Sequence, residues 1–181
     1  MSNTSHKPEV WQRGPVENIA PLLQPVAHAL LQAKEELVEI MEEFPDKLLW
    51  DKPAGAASAG FHLQHISGVV DRLFTYARNE PLNAEQLQSL SEENNSFSNT
   101  LSVEILIARF SKRVDDAMLQ LQHTREATLT EHRSIGRKKI PTTVIGLLVH
   151  SAEHTMRHIG QLIVTVKMLK ATKSESLLHP K

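Results

Sequence analysis

The chain has 181 residues, enough for one domain with a hydrophobic core that needs no disulfides. It contains no cysteine, which excludes disulfides and thiolate metal sites and leaves imidazole, carboxylate and water as metal ligands. The formal net charge of −1 provides no general attraction to nucleic acid or to anionic membranes.

The N-terminal segment is polar, and residues 1–15 predict a flexible arm that Trp11 could dock. Met1–Glu9 lacks the apolar run of a signal peptide, and no apolar segment approaches the roughly 18 residues of a membrane span. We therefore expect a soluble, cytoplasmic protein that does not associate with membranes.

The first predicted helix has apolar residues at intervals of three and four from Ile19 to Phe44. It is expected to begin at Pro21 or Pro25, because proline favours the first turn, and to end before Pro45.

The second predicted helix begins after Ser58, a residue type that caps helix N-termini, and continues to about Ala77. Gly60 and Gly68 lower its intrinsic stability. We expect their function to be close approach of a neighbouring helix.

A long connection follows, from about Asn79 to Leu101. It exceeds the usual 2–8 residues of a helix–helix turn and could cross the whole domain. Residues 84–90 predict a short helical turn, and residues 91–100 predict a polar loop.

Two more helices complete the pattern. The third is expected from Ser102 to about His123, and residues 131–139 are expected to form a basic loop before Pro141 opens the fourth helix. We found no alternation typical of β-strands. The predicted fold is therefore all-α, a four-helix bundle over residues 16–171 followed by a polar tail at 172–181.

Ten histidines stand out in the composition, and three of them recur every four residues in the fourth helix: His150, His154 and His158. Residues four apart on a helix are neighbours, so two such imidazoles can hold one metal ion from one side. His65 lies in the apolar stripe of the second helix, and helix axes in a bundle are about 8–10 Å apart, so it can reach the same ion.

Three neutral imidazoles suit Zn²⁺, Ni²⁺, Fe²⁺ or Cu²⁺ and leave an open position for water or substrate. The opposing interpretation is that these are buried histidines satisfied by hydrogen bonds. The pattern also differs from the protease motif H-E-x-x-H, because position 155 is threonine.

Further residues are candidates for the pocket or for contacts with the ligands. His150 continues the ladder and His62 lies one turn before His65, where it could line the pocket mouth. His28 in the first helix could face the pocket or the surface, and Gln161 lies three residues after His158. The basic residues at 133–139 could bind an anionic substrate, although a solvated loop is the simpler interpretation.

Three stretches resemble the DinB-like (DinB/YfiT-type) metal-binding family: Pro25–Ala33, Gly60–Arg72 and Leu147–Gln161. The likeness spans residues 16–170, and the paired histidines of the last stretch are its most specific part. The resemblance implies a bundle of up-down-down-up topology with a long crossover between helices two and three. It places the metal ligands at His65, His154 and His158.

The family resemblance also implies a function and an assembly. We expect a homodimer that binds a divalent ion, with zinc or nickel favoured and iron or manganese as alternatives. Characterised relatives use low-molecular-weight thiols, so a thiol S-transferase or a hydrolase acting on a small electrophilic molecule is the expected enzyme. The alternative is a non-catalytic bundle in which the metal has a structural or interaction role.

Overall fold

The computed structural model describes residues 7–93 and 101–178. These residues are mostly helical, in agreement with the predicted class. The elements are α1 (Gln24–Ile40), α2 (Ala59–Ala77), α3 (Ala84–Glu92), α4 (Val103–His123), β1 (His132–Ile135), β2 (Ile140–Thr143) and α5 (Val144–Leu178). None of the helices in the described part of the chain is both long and apolar enough to span a membrane.

Short polar side chains set where the helices begin. The hydroxyl of Ser58 accepts a hydrogen bond from the backbone N–H of Phe61 at 3.2 Å, and Ser102 caps α4 in the same way. These contacts satisfy backbone donors that have no partner within the helix. The predicted starts of the second and third helices are therefore confirmed, and the predicted helical turn at 84–90 is α3.

The first helix ends earlier than predicted. It stops at Ile40 rather than at Phe44. Glu43 adopts a positive φ of 54°, and the N–H of Phe44 bonds to the carbonyl of Met41 at 3.0 Å, which forms a tight turn. A residue before proline disfavours the helical region, so the chain leaves the helix upstream of Pro45.

The predicted basic loop is in fact a β-hairpin, and the absence of strands was a wrong prediction. His132 pairs with Thr143 and Ile135 with Ile140 in an antiparallel register. Pro141 lies in β2, where a two-stranded sheet has only edges and tolerates proline. The fourth predicted helix therefore begins at Val144, and Thr143 caps it by accepting from the N–H of Gly146 at 3.1 Å.

The C-terminal boundary also differs from the sequence pattern. Helix α5 continues to Leu178, so the segment predicted as a polar tail from residue 172 begins inside this helix.

The hydrophobic core joins the long helices. α2 packs against α4 and α5, α1 packs against the same two helices, and α3 lies on α2. Leu22 and Val149 are 64% and 47% exposed, whereas Leu147 and Leu162 are fully buried. Each fully buried leucine side chain contributes about 1.5–3 kcal/mol to the free energy of unfolding.

The described part of the N-terminal segment lies against α1. Val10 is buried and its N–H donates to Oε1 of Gln32 at 2.8 Å, while Trp11 is 60% exposed. Arg13 forms an ion pair with Glu35 at 2.6 Å, and this hydrogen bond is the main cause that lowers the pKa of Glu35 to about 2. The anchor is therefore Val10 and not Trp11.

Gly60 lies against an aromatic ring, and not against a neighbouring helix, and this contact leaves no room for a side chain. A Cβ at Gly60 would lie 2.6–2.8 Å from ring carbons of Trp50. We expect Gly60→Ala to lower the free energy of unfolding by about 1–3 kcal/mol in urea denaturation, because the partly buried ring of Trp50 would have to shift. Gly160→Ala is the matched control, since nothing lies within 4 Å of its Cβ position. Equal stability of the two variants would contradict this account.

Candidate metal centre

Two packed helices bring four histidines together. α2 carries His62 and His65, and α5 carries His154 and His158. Residues three or four apart share a helix face, so each pair faces the partner helix. The first predicted pair, His154 and His158, has ring centroids 4.7 Å apart.

Three of these side chains form a group that could hold a metal ion. His65, His154 and His158 each offer a ring nitrogen, and the three nitrogens lie within 4.8 Å of one another. Nε2 of His65 is 2.9 Å from Nε2 of His154. The structure therefore brings the three predicted ligands to one place.

The buried carboxylate of Glu93 contacts His65 on the side of the ring opposite His154. Nδ1 of His65 donates to Oε2 of Glu93 at 2.8 Å, and the other oxygen, Oε1, accepts from Nη1 of Arg72 at 2.5 Å. Glu93 is 6% exposed and Arg72 is 9% exposed. Because Nδ1 of His65 donates to the carboxylate, its proton is on Nδ1, and Nε2 keeps the lone pair that faces Nε2 of His154 at 2.9 Å.

The fourth histidine contacts another ligand candidate. His62 is 3% exposed, so it lies deep in the bundle rather than at a pocket mouth. Its Nδ1 is 3.0 Å from Nδ1 of His158, and one of these two nitrogens must donate to the other. This contact leaves Nε2 of His158 available for other partners.

The residues present fit a divalent ion. Three imidazoles are a common donor set for zinc and similar ions. Zinc–nitrogen bonds of about 2.0–2.1 Å place tetrahedral ligands about 3.3–3.4 Å apart, slightly more than the 2.9 Å between His65 and His154. A small separation of the rings would therefore admit an ion. Nδ1 of His154 is buried and has no hydrogen-bond partner among the described residues.

Burial favours the neutral form of His62, His154 and His158. It is the main cause that lowers the pKa of His62 and of His158 to about 4, and it also lowers the pKa of His154. Coulombic repulsion from His65 contributes to the lowering of the pKa in each case. Neutral imidazoles have the free lone pair that a metal requires.

These pKa shifts predict how the stability of the metal-free protein depends on pH. Between about pH 6.5 and pH 4 the unfolded histidines bind protons that the folded ones reject, so stability is complete above this window and falls as the pH falls through it. We expect a lower free energy of unfolding at pH 5 than at pH 7 in urea denaturation with chelator present. His62→Gln should reduce this difference, and His28→Gln, outside the cluster, should preserve it. A pH-independent wild type would contradict the assignment.

The site is partly open to solvent. The side chain of His65 is 20% exposed, and Phe61 stacks on it with ring centroids 5.3 Å apart and planes 12° apart. A separate surface cavity of about 490 Å³ between the end of α1 and the start of α4 contains none of the histidines.

The remaining candidates lie at the edge of the cluster or away from it. His150 is exposed, and its Nδ1 donates to Glu153 at 2.7 Å. His28 bonds to the carbonyl of Gly14 at 3.1 Å, and Gln161 is exposed. The basic residues 137–139 form the turn of the hairpin before α5, whose first residue, Val144, is roughly 15 Å along the helix axis from His154 at 1.5 Å per residue.

Glu93 and Arg72 are parts of the site that were not predicted from the sequence. Arg72 lies two turns after His65 on the same face of α2, within an apolar stripe. A charged residue in that position must have a buried partner, and this was the available signal. The partner itself comes from the segment between α2 and α4, whose path the sequence does not show.

Comparisons with known proteins agree with this architecture. The family model of the DinB superfamily matches residues 29–162. A crystal structure of a structural-genomics protein from Streptococcus pneumoniae has a TM-score of 0.58 at 15% sequence identity, covering 81% of this chain and 88% of that one. No curated protein matches.

The fold and the site define a class of protein: a mostly helical domain with a cluster of histidines between two packed helices. The chain belongs to the DinB superfamily.

Proposed function

We propose that this protein is a divalent-metal-dependent enzyme whose ion is held by His65, His154 and His158. The observation that carries the proposal is the approach of three ring nitrogens to within 4.8 Å of one another. Three protein ligands leave a coordination position open, as in catalytic rather than structural zinc sites. Zinc or nickel fits this donor set best, and iron or manganese is the alternative.

When bound, the ion would supply a Lewis acid that makes a thiol or a water molecule nucleophilic near neutral pH. The chain's own residues hold and orient the ligands. Glu93 fixes the proton of His65 on Nδ1, His62 contacts His158, and Phe61 covers one face of His65. The partial exposure of His65 would let a small electrophilic substrate reach the site.

The proposed reaction class is transfer of a low-molecular-weight thiol, or hydrolysis. The test is a screen of small thiols and electrophilic acceptors with the zinc-loaded and nickel-loaded protein. We expect turnover with the loaded wild type and none with chelated protein or with His158→Ala. Activity that is equal in all three preparations would contradict metal-dependent catalysis.

A non-catalytic metal-binding bundle is the second candidate, because the histidine cluster links α2 to α5 and an ion there would cross-link the two helices. This role predicts that metal raises the melting temperature while the whole substrate screen stays blank. An active screen would exclude it as the sole role.

The topology and assembly are also proposed from the family. The long helices α1, α2, α4 and α5 would form an up-down-down-up four-helix bundle in which residues 78–102 make the crossover. The homodimer would be detected by light scattering during gel filtration, and a monomeric mass would exclude it.

A further inference from the structure

We propose that Glu93 is a positioning residue of the metal site, which holds His65 with its Nε2 lone pair directed to the ion. This inference rests on the proposed metal site and adds a residue from the crossover segment. The site would then be completed by three parts of the chain: α2, α5 and the residue that follows α3.

Each carboxylate oxygen of Glu93 accepts a hydrogen bond from a different side chain. Oε2 accepts from His65 at 2.8 Å and Oε1 accepts from Arg72 at 2.5 Å. The carboxylate is buried, so these contacts replace the water it lost. The guanidinium of Arg72 donates to one oxygen and the imidazole of His65 to the other, so both contacts hold the carboxylate in place beside the ring.

Gly68 provides the space for this arrangement. A Cβ at Gly68 would overlap both Nη1 of Arg72 and Oε1 of Glu93 at distances shorter than any ordinary contact. Gly68 is one turn after His65 on α2, where glycine otherwise weakens the helix. The absence of a side chain therefore lets the ion pair lie directly beside the ligand.

A carboxylate bonded to a ligand histidine fixes the tautomer and orientation of the ring and makes it a stronger donor to the metal. Loss of such a partner typically weakens metal affinity by about 10–100-fold. Glu93 meets the geometric requirement, and Arg72 holds it in place.

The experiment measures the dissociation constant of Zn²⁺ by competition with a chromophoric chelator. We expect Glu93→Gln and Gly68→Ala each to weaken affinity by about 10–100-fold while helicity by circular dichroism is retained. Glu92→Gln and Gly160→Ala are the matched controls, because Glu92 is exposed and the Gly160 site is open. Both controls should bind like the wild type, and wild-type affinity in the two test variants would overturn the inference.

A second measurement separates this inference from the proposed function. Imidazole ¹⁵N NMR of the metal-free protein should show His65 with its proton on Nδ1, and Glu93→Gln or Gly68→Ala should shift it to a mixture of tautomers. Failure of the wild type to bind zinc would overturn the proposed function. A tautomer that does not respond in either variant would overturn the role of Glu93 even if zinc binds.

Discussion

Replacing His154 by alanine is expected to weaken divalent-metal binding by more than about 100-fold, because it removes one of the three proposed ligands. This loss exceeds the roughly 10–100-fold that is typical when a residue hydrogen-bonded to a ligand is replaced. The helical content should be unchanged, since His154 lies at the half-exposed edge of the core. Competition with a chromophoric chelator measures the affinity, and circular dichroism measures the fold.

His150→Ala is the matched control for this experiment. It lies one turn away on the same helix, is exposed, and contacts Glu153. We expect it to bind metal like the wild type. Unchanged affinity in His154→Ala, or equal losses in the two variants, would show that the ligand assignment is incorrect.

Arg72→Met is expected to lower the free energy of unfolding by about 3–5 kcal/mol, because it leaves the carboxylate of Glu93 buried without its cationic partner. The double variant Arg72→Met with Glu93→Met should recover most of this loss, since an apolar pair of similar volume replaces both charges. Urea denaturation of the metal-free proteins measures both values.

Arg113→Met controls for the loss of an arginine on the surface. Its guanidinium is 3.3 Å from Asp71 but its side chain is 43% exposed, so the expected cost is below about 1 kcal/mol. If Arg72→Met costs no more than this control, the Arg72–Glu93 pair does not stabilise the fold.

The helices and the shared face of two clustered histidines could be predicted because they depend on local spacing. Ser58 and Ser102 cap helices through their own backbone neighbours, and the interval between His154 and His158 fixes their shared face. The likeness of Gly60–Arg72 to the DinB family then placed His65 opposite them. The family itself is confirmed by the match over residues 29–162.

Features that depend on tertiary contacts were missed or misplaced. The β-hairpin consists of two four-residue strands without clear alternation, so its pattern resembled a loop. Glu93 belongs to a polar stretch, and its contact with His65 forms only when the segment between α2 and α4 packs against α2. Residues 94–100 of that predicted loop lie outside the described residues.

The most direct test of the central claim is elemental analysis of untagged protein purified without a nickel column. The account predicts about one divalent ion per chain after equilibration with metal and removal of excess, as expected for a three-histidine site. It also predicts loss of that ion in His154→Ala. Metal content at background in the wild type after the same treatment would contradict the proposed metal site.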